Sequence, residues 1–249
     1  MKRYIKSAIM PLSKYTWQDL AELAGEDTTS SEVLEEIASI CKGSVVADMI
    51  LGNENCTARV LEILAERYID DAETIYRIAK HPKATKTILD MCAEKYLHRE
   101  DHWGWDVQRA VASNENTALK TLRKLSHCAD IEVLNRIAGN PTASTSLLTY
   151  LVNRTDSLLS SVLANPNVDT NLLIKMANHK TYWTRESVAS NPNTPIDLLA
   201  QLANDENYWV REAVADNPSA PIELLQQLVN DNELEVSTRA KYALARRGI

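Results

Sequence analysis

The sequence contains no phenylalanine and only 6 glycines, while leucine and alanine are abundant. Strands favour aromatic and β-branched residues, whereas leucine and alanine favour helices, so the composition indicates an all-α protein. No run approaches the roughly 18 apolar residues that a membrane helix needs. The basic start of the chain is followed by an apolar stretch too short for a secretory signal. We therefore expect a cytoplasmic protein without a membrane partner.

The four cysteines, at positions 41, 56, 92 and 128, are widely dispersed. No two of them form the C-x-x-C pair that zinc ribbons and redox centres use. Cys92 falls at a predicted core position, where a thiol behaves as a small hydrophobic group. We therefore predict neither a bound metal nor a cofactor.

Catalytic motifs are also missing, since the chain has no serine elbow, glycine-rich phosphate loop or H-E-x-x-H segment. Its carboxylates are scattered over predicted helix faces, where they serve solvation. The formal net charge of −7 disfavours general phosphate binding. The sequence therefore predicts a protein that is not an enzyme and does not take nucleic acid as its main partner.

What the chain does contain is a repeat, because Asn191-Pro192 and Asn217-Pro218 mark equivalent points 26 residues apart. Such self-similarity indicates stacked supersecondary units. Asparagine beside proline favours a turn, and we expect this asparagine to bond backbone in the next unit. We call the equivalent positions anchors; they are Glu26, Asn53, His81, Asn114, Asn140, Asn165, Asn191 and Asn217.

Each anchor is followed by one helical pattern and preceded by another. After Asn191, Thr194 is a candidate N-cap, Pro195 the first helical residue, and the leucines at 198, 199 and 202 share one face. The second, shorter helix has core positions seven and three residues before the anchor, as in Val210 and Val214. The predicted fold is an α-solenoid of about eight helix–turn–short-helix repeats in one continuous domain. Its parts are an N-terminal cap over 1–25, repeats over 26–233 and a capping helix over 234–249.

The unit N-P-N-T-P-I-D-L-L-A-Q-L-A, which begins at Asn191, resembles the leucine-rich repeat variant family. That family is similar in plan to HEAT and armadillo α-solenoids. The resemblance implies repeats of one α-helix and one short, often 3₁₀, helix wound into a right-handed superhelix. The family's prototype holds an iron–sulfur centre in a cysteine cluster. The cysteines here are dispersed, so the resemblance does not extend to that cofactor.

Two aromatic pairs, Tyr182-Trp183 and Tyr208-Trp209, lie nine and eight residues before successive anchors. Other repeats carry glutamate, aspartate or serine there, which indicates a site outside the core. Arg185 and Arg211 follow on the next turn, and we interpret the six residues as an exposed strip that binds a partner. In the alternative arrangement Trp183 and Trp209 stack on each other and cover the seam between repeats.

The third repeat is longer than the others, with 33 residues between its anchors, and the extra residues fall within 94–106. Insertions in repeat proteins go to loops on one face, often the binding face. We expect a loop here whose Trp103 and Trp105 recognise a partner. His98 and His102 have the i, i+4 spacing of a helical metal site, a weaker hypothesis because no third ligand is evident.

Three functions are consistent with these sequence features. The favoured one is a non-enzymatic scaffold that binds a protein or peptide through Trp103, Trp105, Tyr182, Trp183, Arg185, Tyr208, Trp209 and Arg211. The second is a nucleic-acid-binding solenoid similar to HEAT-like DNA glycosylases, in which basic residues lie beside the phosphates. The candidate residues are Arg109, Arg185, Arg211 and the C-terminal cations Arg239, Lys241, Arg246 and Arg247. The third is an iron–sulfur repeat protein, which requires clustered thiolates.

Overall fold

The computed structural model describes residues 11–249, which contain seventeen α-helices, two short 3₁₀ helices and no strand. This confirms the predicted all-α class. The chain divides into two compact units, Met1–Val133 and Leu134–Ile249. The assignment of 1–249 to one continuous domain stays a prediction, and residues 1–10 of its N-terminal cap lie outside the described part.

The first unit consists of alternating helices, each packed on the helix two places along the chain. The contacting pairs include α1 with α3, α2 with α4, α3 with α5, and α5 with α7. This is the packing of helical hairpins stacked into a solenoid of repeats. The elements are a 3₁₀ helix at Leu12–Lys14, α1 Trp17–Ala24, α2 Ser31–Ile40, α3 Ser44–Gly52, α4 Ala58–Arg67, α5 Ala72–Lys80, α6 Lys86–Tyr96, α7 His102–Ser113 and α8 Leu119–Leu125.

The second unit follows the same plan after α9 Ile131–Gly139, a helix that spans the boundary between the units. Here α11, α13, α15 and α17 pack one on the next, and α12, α14 and α16 each contact the helix that follows. The elements are α10 Thr145–Arg154, a 3₁₀ helix at Asp156–Leu158, α11 Leu159–Ala164, α12 Thr170–Met176, α13 Tyr182–Ser190, α14 Ile196–Leu202, α15 Tyr208–Asp216, α16 Ile222–Leu228 and α17 Leu234–Arg246. None of the helices between residues 11 and 249 combines the length and apolar character that crossing a bilayer requires.

The core lies where the repeat places it. Every residue predicted seven or three positions before an anchor is buried, which confirms the inward face of the second helix: Val46, Ile50, Thr74, Ile78, Val107, Val111, Val133, Ile137, Leu158, Val162, Thr184, Val188, Val210 and Val214. Leucines of the first helix, such as Leu198, Leu199 and Leu202, are buried as well. Cys92 is buried at its predicted core position.

Three local predictions are wrong. The second helix is not the shorter one in the C-terminal repeats, since α13 and α15 have 9 residues whereas α14 and α16 have 7. The second helices are α-helical, with 3₁₀ geometry only at Asp156–Leu158, ahead of α11. Thr194 does not cap α14, which begins at Ile196 after Pro195. The Thr194 hydroxyl is buried and donates instead to the Val188 carbonyl, 2.5 Å away.

The anchor asparagines bond backbone, as expected, but in the preceding repeat and not in the next one. Asn191 donates from Nδ2 to the carbonyls of Leu163 and Asn165 at 2.6 and 3.1 Å. Its Oδ1 accepts the backbone N–H of Asn193 at 2.8 Å. One side chain thus closes a turn and ties two repeats together. We call this set the asparagine ladder; its members are Asn53, Asn114, Asn165, Asn191 and Asn217.

Candidate interaction surface

Large side chains stand at the start of three adjacent helices of the second unit. The helices α13, α15 and α17 pack side by side in this order, and they begin with Tyr182-Trp183, Tyr208-Trp209 and Leu234. Trp183 is 54% exposed, Trp209 44% and Leu234 73%. We call these five residues the aromatic strip.

Each tryptophan of the strip packs against the tyrosine before it. The ring centroids of Tyr182 and Trp183 lie 5.2 Å apart in an edge-to-face arrangement, and those of Tyr208 and Trp209 lie 4.7 Å apart. Both geometries are favourable for aromatic pairs. The tryptophans are therefore held by their own tyrosines instead of by each other, which differs from the alternative arrangement in which they stack across the seam.

Exposure at the tryptophan position does not depend on the residue that occupies it. Eight residues before four other anchors the side chains are also exposed, namely at Val45, Glu73, Glu132 and Ser157, whereas Asp106 at the equivalent place is half-buried. Leu234 and Glu235 continue the same two positions on α17, and both are exposed. Packing of the repeat therefore does not require a large aromatic residue at this position.

Arg185 and Arg211 lie inside the unit, not on its surface beside the tryptophans. Arg185 is 8% exposed, and its Nε and Nη2 donate to the two carboxylate oxygens of Asp205 at 2.6 and 2.8 Å. Its Nη1 donates to the carbonyl of His179 at 2.9 Å. Arg211 makes the same paired bonds to Asp231, at 2.7 and 2.9 Å. These forked contacts join each repeat to the loop of the next.

The acidic partners in these pairs are strongly held in the charged form. Burial opposes the ionisation of Asp205, but hydrogen bonds from Arg185 and the Asn207 backbone outweigh it and lower its pKa. The hydrogen bond from Arg211 is the largest influence on Asp231 and lowers its pKa too. Sequence reasoning missed both carboxylates. Their signal is the spacing of 20 residues from arginine to aspartate, which recurs in successive repeats.

Carboxylates flank the aromatic strip. Glu212, on α15, is 16% exposed at its side chain and pairs with Arg239 of α17 at 3.2 Å. Burial raises the pKa of Glu186 on α13, and the charge of Glu212 raises it further. A shallow hollow of about 590 Å³ adjoins the strip; it is lined by Glu212, Leu234, Glu235, Thr238, Arg239 and Tyr242.

The insertion in the third repeat is mostly helical, which corrects the expected loop. Residues 94–96 end α6 and residues 102–106 begin α7, so only a short connection separates them. Asp101 caps α7 by accepting the N–H of Gly104 at 2.7 Å. Trp103 is 37% exposed in the first turn, and Trp105 is half-buried.

The histidine pair of the insertion does not form a helical metal site. His98 lies in the connection and His102 is the first residue of α7, so the two are not on one helix. The imidazole of His102 faces the Asp106 carboxylate, 3.3 Å away. Across residues 11–249, no group of three or more histidine, cysteine, aspartate and glutamate side chains is arranged to hold a metal ion.

The insertion also reproduces the strip positions. Trp105 lies nine residues before Asn114, as Tyr182 and Tyr208 lie before their own anchors. Gln108 takes the place of the buried arginine and donates from Nε2 to the Tyr96 carbonyl at 2.6 Å. This equivalence was missed because a loop was expected through residue 106, although Val107 and Val111 already define the register of this repeat.

Comparison with known families gives a match to the leucine rich repeat variant over residues 182–207. The matched segment begins with Tyr182-Trp183, contains Arg185 and Asn191, and ends at the N-cap of α15. A search of the curated proteins finds no match. Helices on both sides of the segment repeat its packing, which is consistent with a HEAT-like relationship. Residues 182–207 are thus identified as a leucine rich repeat variant unit within an all-helical repeat protein.

Proposed function

We propose that this protein is a non-enzymatic scaffold that binds a partner protein or peptide on the aromatic strip. The observation that carries the proposal is the exposure of Trp183 and Trp209 at the same position of consecutive repeats. Aromatic residues are the commonest energetic anchors of protein interfaces. Repeat solenoids present such residues on rigid, extended surfaces.

The remaining candidate residues have different parts in this proposal. Trp103 and Trp105 form a second, smaller contact surface in the first unit, supported by the exposure of Trp103. Arg185 and Arg211 are positioning residues, because their ion pairs hold α13 and α15 in register with the loops that follow. Their charge is already satisfied by aspartate.

Arginine pairing favours a protein partner over nucleic acid. Arg109, Arg185 and Arg211, three of the cations considered for phosphate contacts, pair with Asp130, Asp205 and Asp231. Of the C-terminal cations, Arg239 pairs with Glu212 and Asp216. Binding of a phosphate backbone would require these bonds to be broken and would bring negative charge towards the carboxylates of the strip.

Affinity capture from a lysate of the host cell tests the scaffold. The wild-type protein, the Trp183→Ala/Trp209→Ala double variant and a Trp17→Ala control are immobilised and compared by quantitative mass spectrometry. Trp17 is as exposed as Trp183 but lies in the first unit, so it controls for the loss of a surface tryptophan. We expect a partner that the wild type and the control retain and the double variant loses.

The double variant must also remain folded. The removed indoles are about half exposed, and other repeats carry valine or glutamate at the same position, so we expect helicity and thermal stability to change little. Equal capture by a folded double variant and the wild type would show that the strip is not the binding surface.

A further inference from the structure

We propose that the strip binds an extended, positively charged segment of a partner protein, with lysine or arginine side chains lying over Trp183 and Trp209. This inference rests on the scaffold function proposed above and specifies its ligand. Two independent features support it: the accessible indole rings and the excess of carboxylates around them.

The indole rings provide sites for cations. A lysine or arginine within about 6 Å of an indole centroid is attracted by the negative face of the ring, and tryptophan is the best aromatic partner for this contact. Trp183 and Trp209 each have one neighbouring tyrosine, and each keeps about half of its surface open. A planar guanidinium would stack on the open surface and keep its N–H groups available to nearby carboxylates.

The carboxylates provide the complementary charge. Glu186, on the same helix as Trp183, is half-buried and has no ion pair within the described chain. Burial and the charges of Glu235, Glu212 and Glu233 raise the pKa of Tyr208, in that order, so negative charge surrounds the second aromatic pair. Arg239 neutralises part of this charge through Glu212. An incoming cation would relieve the repulsion between Glu186 and Glu212.

The spacing of the helices sets the spacing of the ligand. Packed helices lie about 8–10 Å apart, so equivalent positions on α13, α15 and α17 recur at that interval. A polyproline II segment has three residues per turn and rises about 3.1 Å per residue, which places every third side chain on one face about 9 Å apart. The matching ligand is [Lys/Arg]-x-x-[Lys/Arg], with an apolar residue three positions beyond, in the hollow beside Leu234 and Tyr242.

A random dodecapeptide library, displayed on phage, tests this specificity. Selection is run in parallel on the wild-type protein, the Trp183→Ala/Trp209→Ala variant and the Trp17→Ala control. We expect the wild type and the control to enrich peptides with two basic residues three positions apart, and the double variant to lose them. A selected arginine peptide is then measured by fluorescence anisotropy beside its citrulline analogue, which has the same shape without the charge.

Charge changes on the protein complete the test. We expect Glu186→Gln/Glu235→Gln to weaken binding of the arginine peptide about fivefold, because its ion pairs to two carboxylates are lost. The citrulline peptide is expected to bind at least about fivefold more weakly than the arginine peptide, because it loses both the ion pairs and the cation–π contacts. Glu223→Gln, an equal change of charge at an exposed position of α16, is expected to leave affinity unchanged.

The outcomes separate this inference from the scaffold itself. Neutral or acidic peptides that still require the tryptophans would overturn the charge preference and leave the scaffold intact. A captured partner without any enriched peptide would mean that the strip recognises a folded surface, which also overturns the inference. Citrulline peptides that bind as tightly as arginine peptides contradict it, as does a labelled DNA duplex whose binding requires Trp183 and Trp209.

Discussion

Replacing one asparagine of the asparagine ladder, in the variant Asn191→Ala, is expected to lower the free energy of unfolding of the second unit more than a typical surface substitution does. The amide of Asn191 is 1% exposed and makes three hydrogen bonds to backbone groups. Two of them reach the preceding repeat, at the carbonyls of Leu163 and Asn165. The Leu163 carbonyl lies in the last turn of α11, where the helix itself provides no partner.

The magnitude follows from these bonds. A hydrogen bond contributes about 1 kcal/mol net, and a buried group left without a partner costs about 1–3 kcal/mol. Partial entry of water into the turn would lower the total, so we expect a loss of about 2–4 kcal/mol for Asn191→Ala. Asn193→Ala is the matched control, since Asn193 is exposed and its amide donates only to the Pro166 carbonyl. Its loss is expected to stay below about 1 kcal/mol.

Urea unfolding provides the measurement. Circular dichroism at 222 nm follows all helices, while tryptophan fluorescence reports on both units. Repeat proteins can unfold in stages, so the midpoint and slope of each transition are compared among the wild type and both variants. A loss for Asn191→Ala no larger than that for Asn193→Ala would refute the view that buried amides connect the repeats.

A second variant at the same site tests the donor role separately. Asn191→Asp retains an acceptor for the Asn193 N–H but turns a carboxylate towards two carbonyl oxygens, so the pKa of the new carboxyl is expected to rise on folding. Protonation of the carboxyl introduced by this substitution then favours the folded state. Stability relative to Asn191→Ala should therefore increase as the pH falls through the raised folded pKa towards the unfolded value of about 3.9. A pH-independent difference between the two variants would contradict this account.

Two further predictions concern the start of α7 and the loop that follows α14. Gly104→Ala is expected to lower the thermal midpoint by disrupting the start of α7, because a Cβ there would lie 2.1 Å from the Arg99 carbonyl oxygen. Gly52→Ala is the control: its Cβ would meet no atom within 4 Å, so the midpoint should be unchanged or slightly raised. Asp205→Asn should cost about 3 kcal/mol, because it removes the buried carboxylate that pairs with Arg185 and leaves only the exposed Glu206 carboxylate beside it. The folded pKa of Asp205 lies below its unfolded value, so its contribution is present above about pH 4 and is lost as the pH falls. Thermal melts from pH 7 to pH 3 should thus show a shallower acid decline in this variant.

The sequence predicts the buried face of the repeat because that face depends on periodicity alone. Core positions at a fixed distance from each anchor must point inward wherever the hairpins stack, whichever apolar residue fills them. Val188 and Val214 are buried for this reason, and so is the polar Thr184 at an equivalent position. Residue propensity predicts helix ends less well than periodicity predicts the core. Thr194 has the propensity of an N-cap, but its hydroxyl donates a hydrogen bond to the Val188 carbonyl of the preceding helix.

The polar contacts between repeats are harder to predict from one sequence. Arg185 reads as a surface cation when taken alone, because arginine is seldom buried without a partner. Its partner Asp205 lies 20 residues away, in a loop brought close only by stacking. The insertion shows the same difficulty. Where a loop was expected, α7 begins at His102 and Asp101 caps its first turn.

These internal contacts explain why the strip positions are available for binding. In each C-terminal repeat, the core residues provide the packing, and the anchor amide and the buried arginine provide the hydrogen bonds between repeats. None of these hydrogen bonds involves the first two residues of the second helix. The second of these positions is accessible even where it carries glutamate or valine, so neither Trp183 nor Trp209 is needed to complete the stack. Large indoles that remain half exposed on a rigid support lower the entropic cost of binding, because little of the surface must be ordered when a ligand arrives. The fold thus accounts for the positions of the two tryptophans, and the proposed binding function accounts for their chemistry.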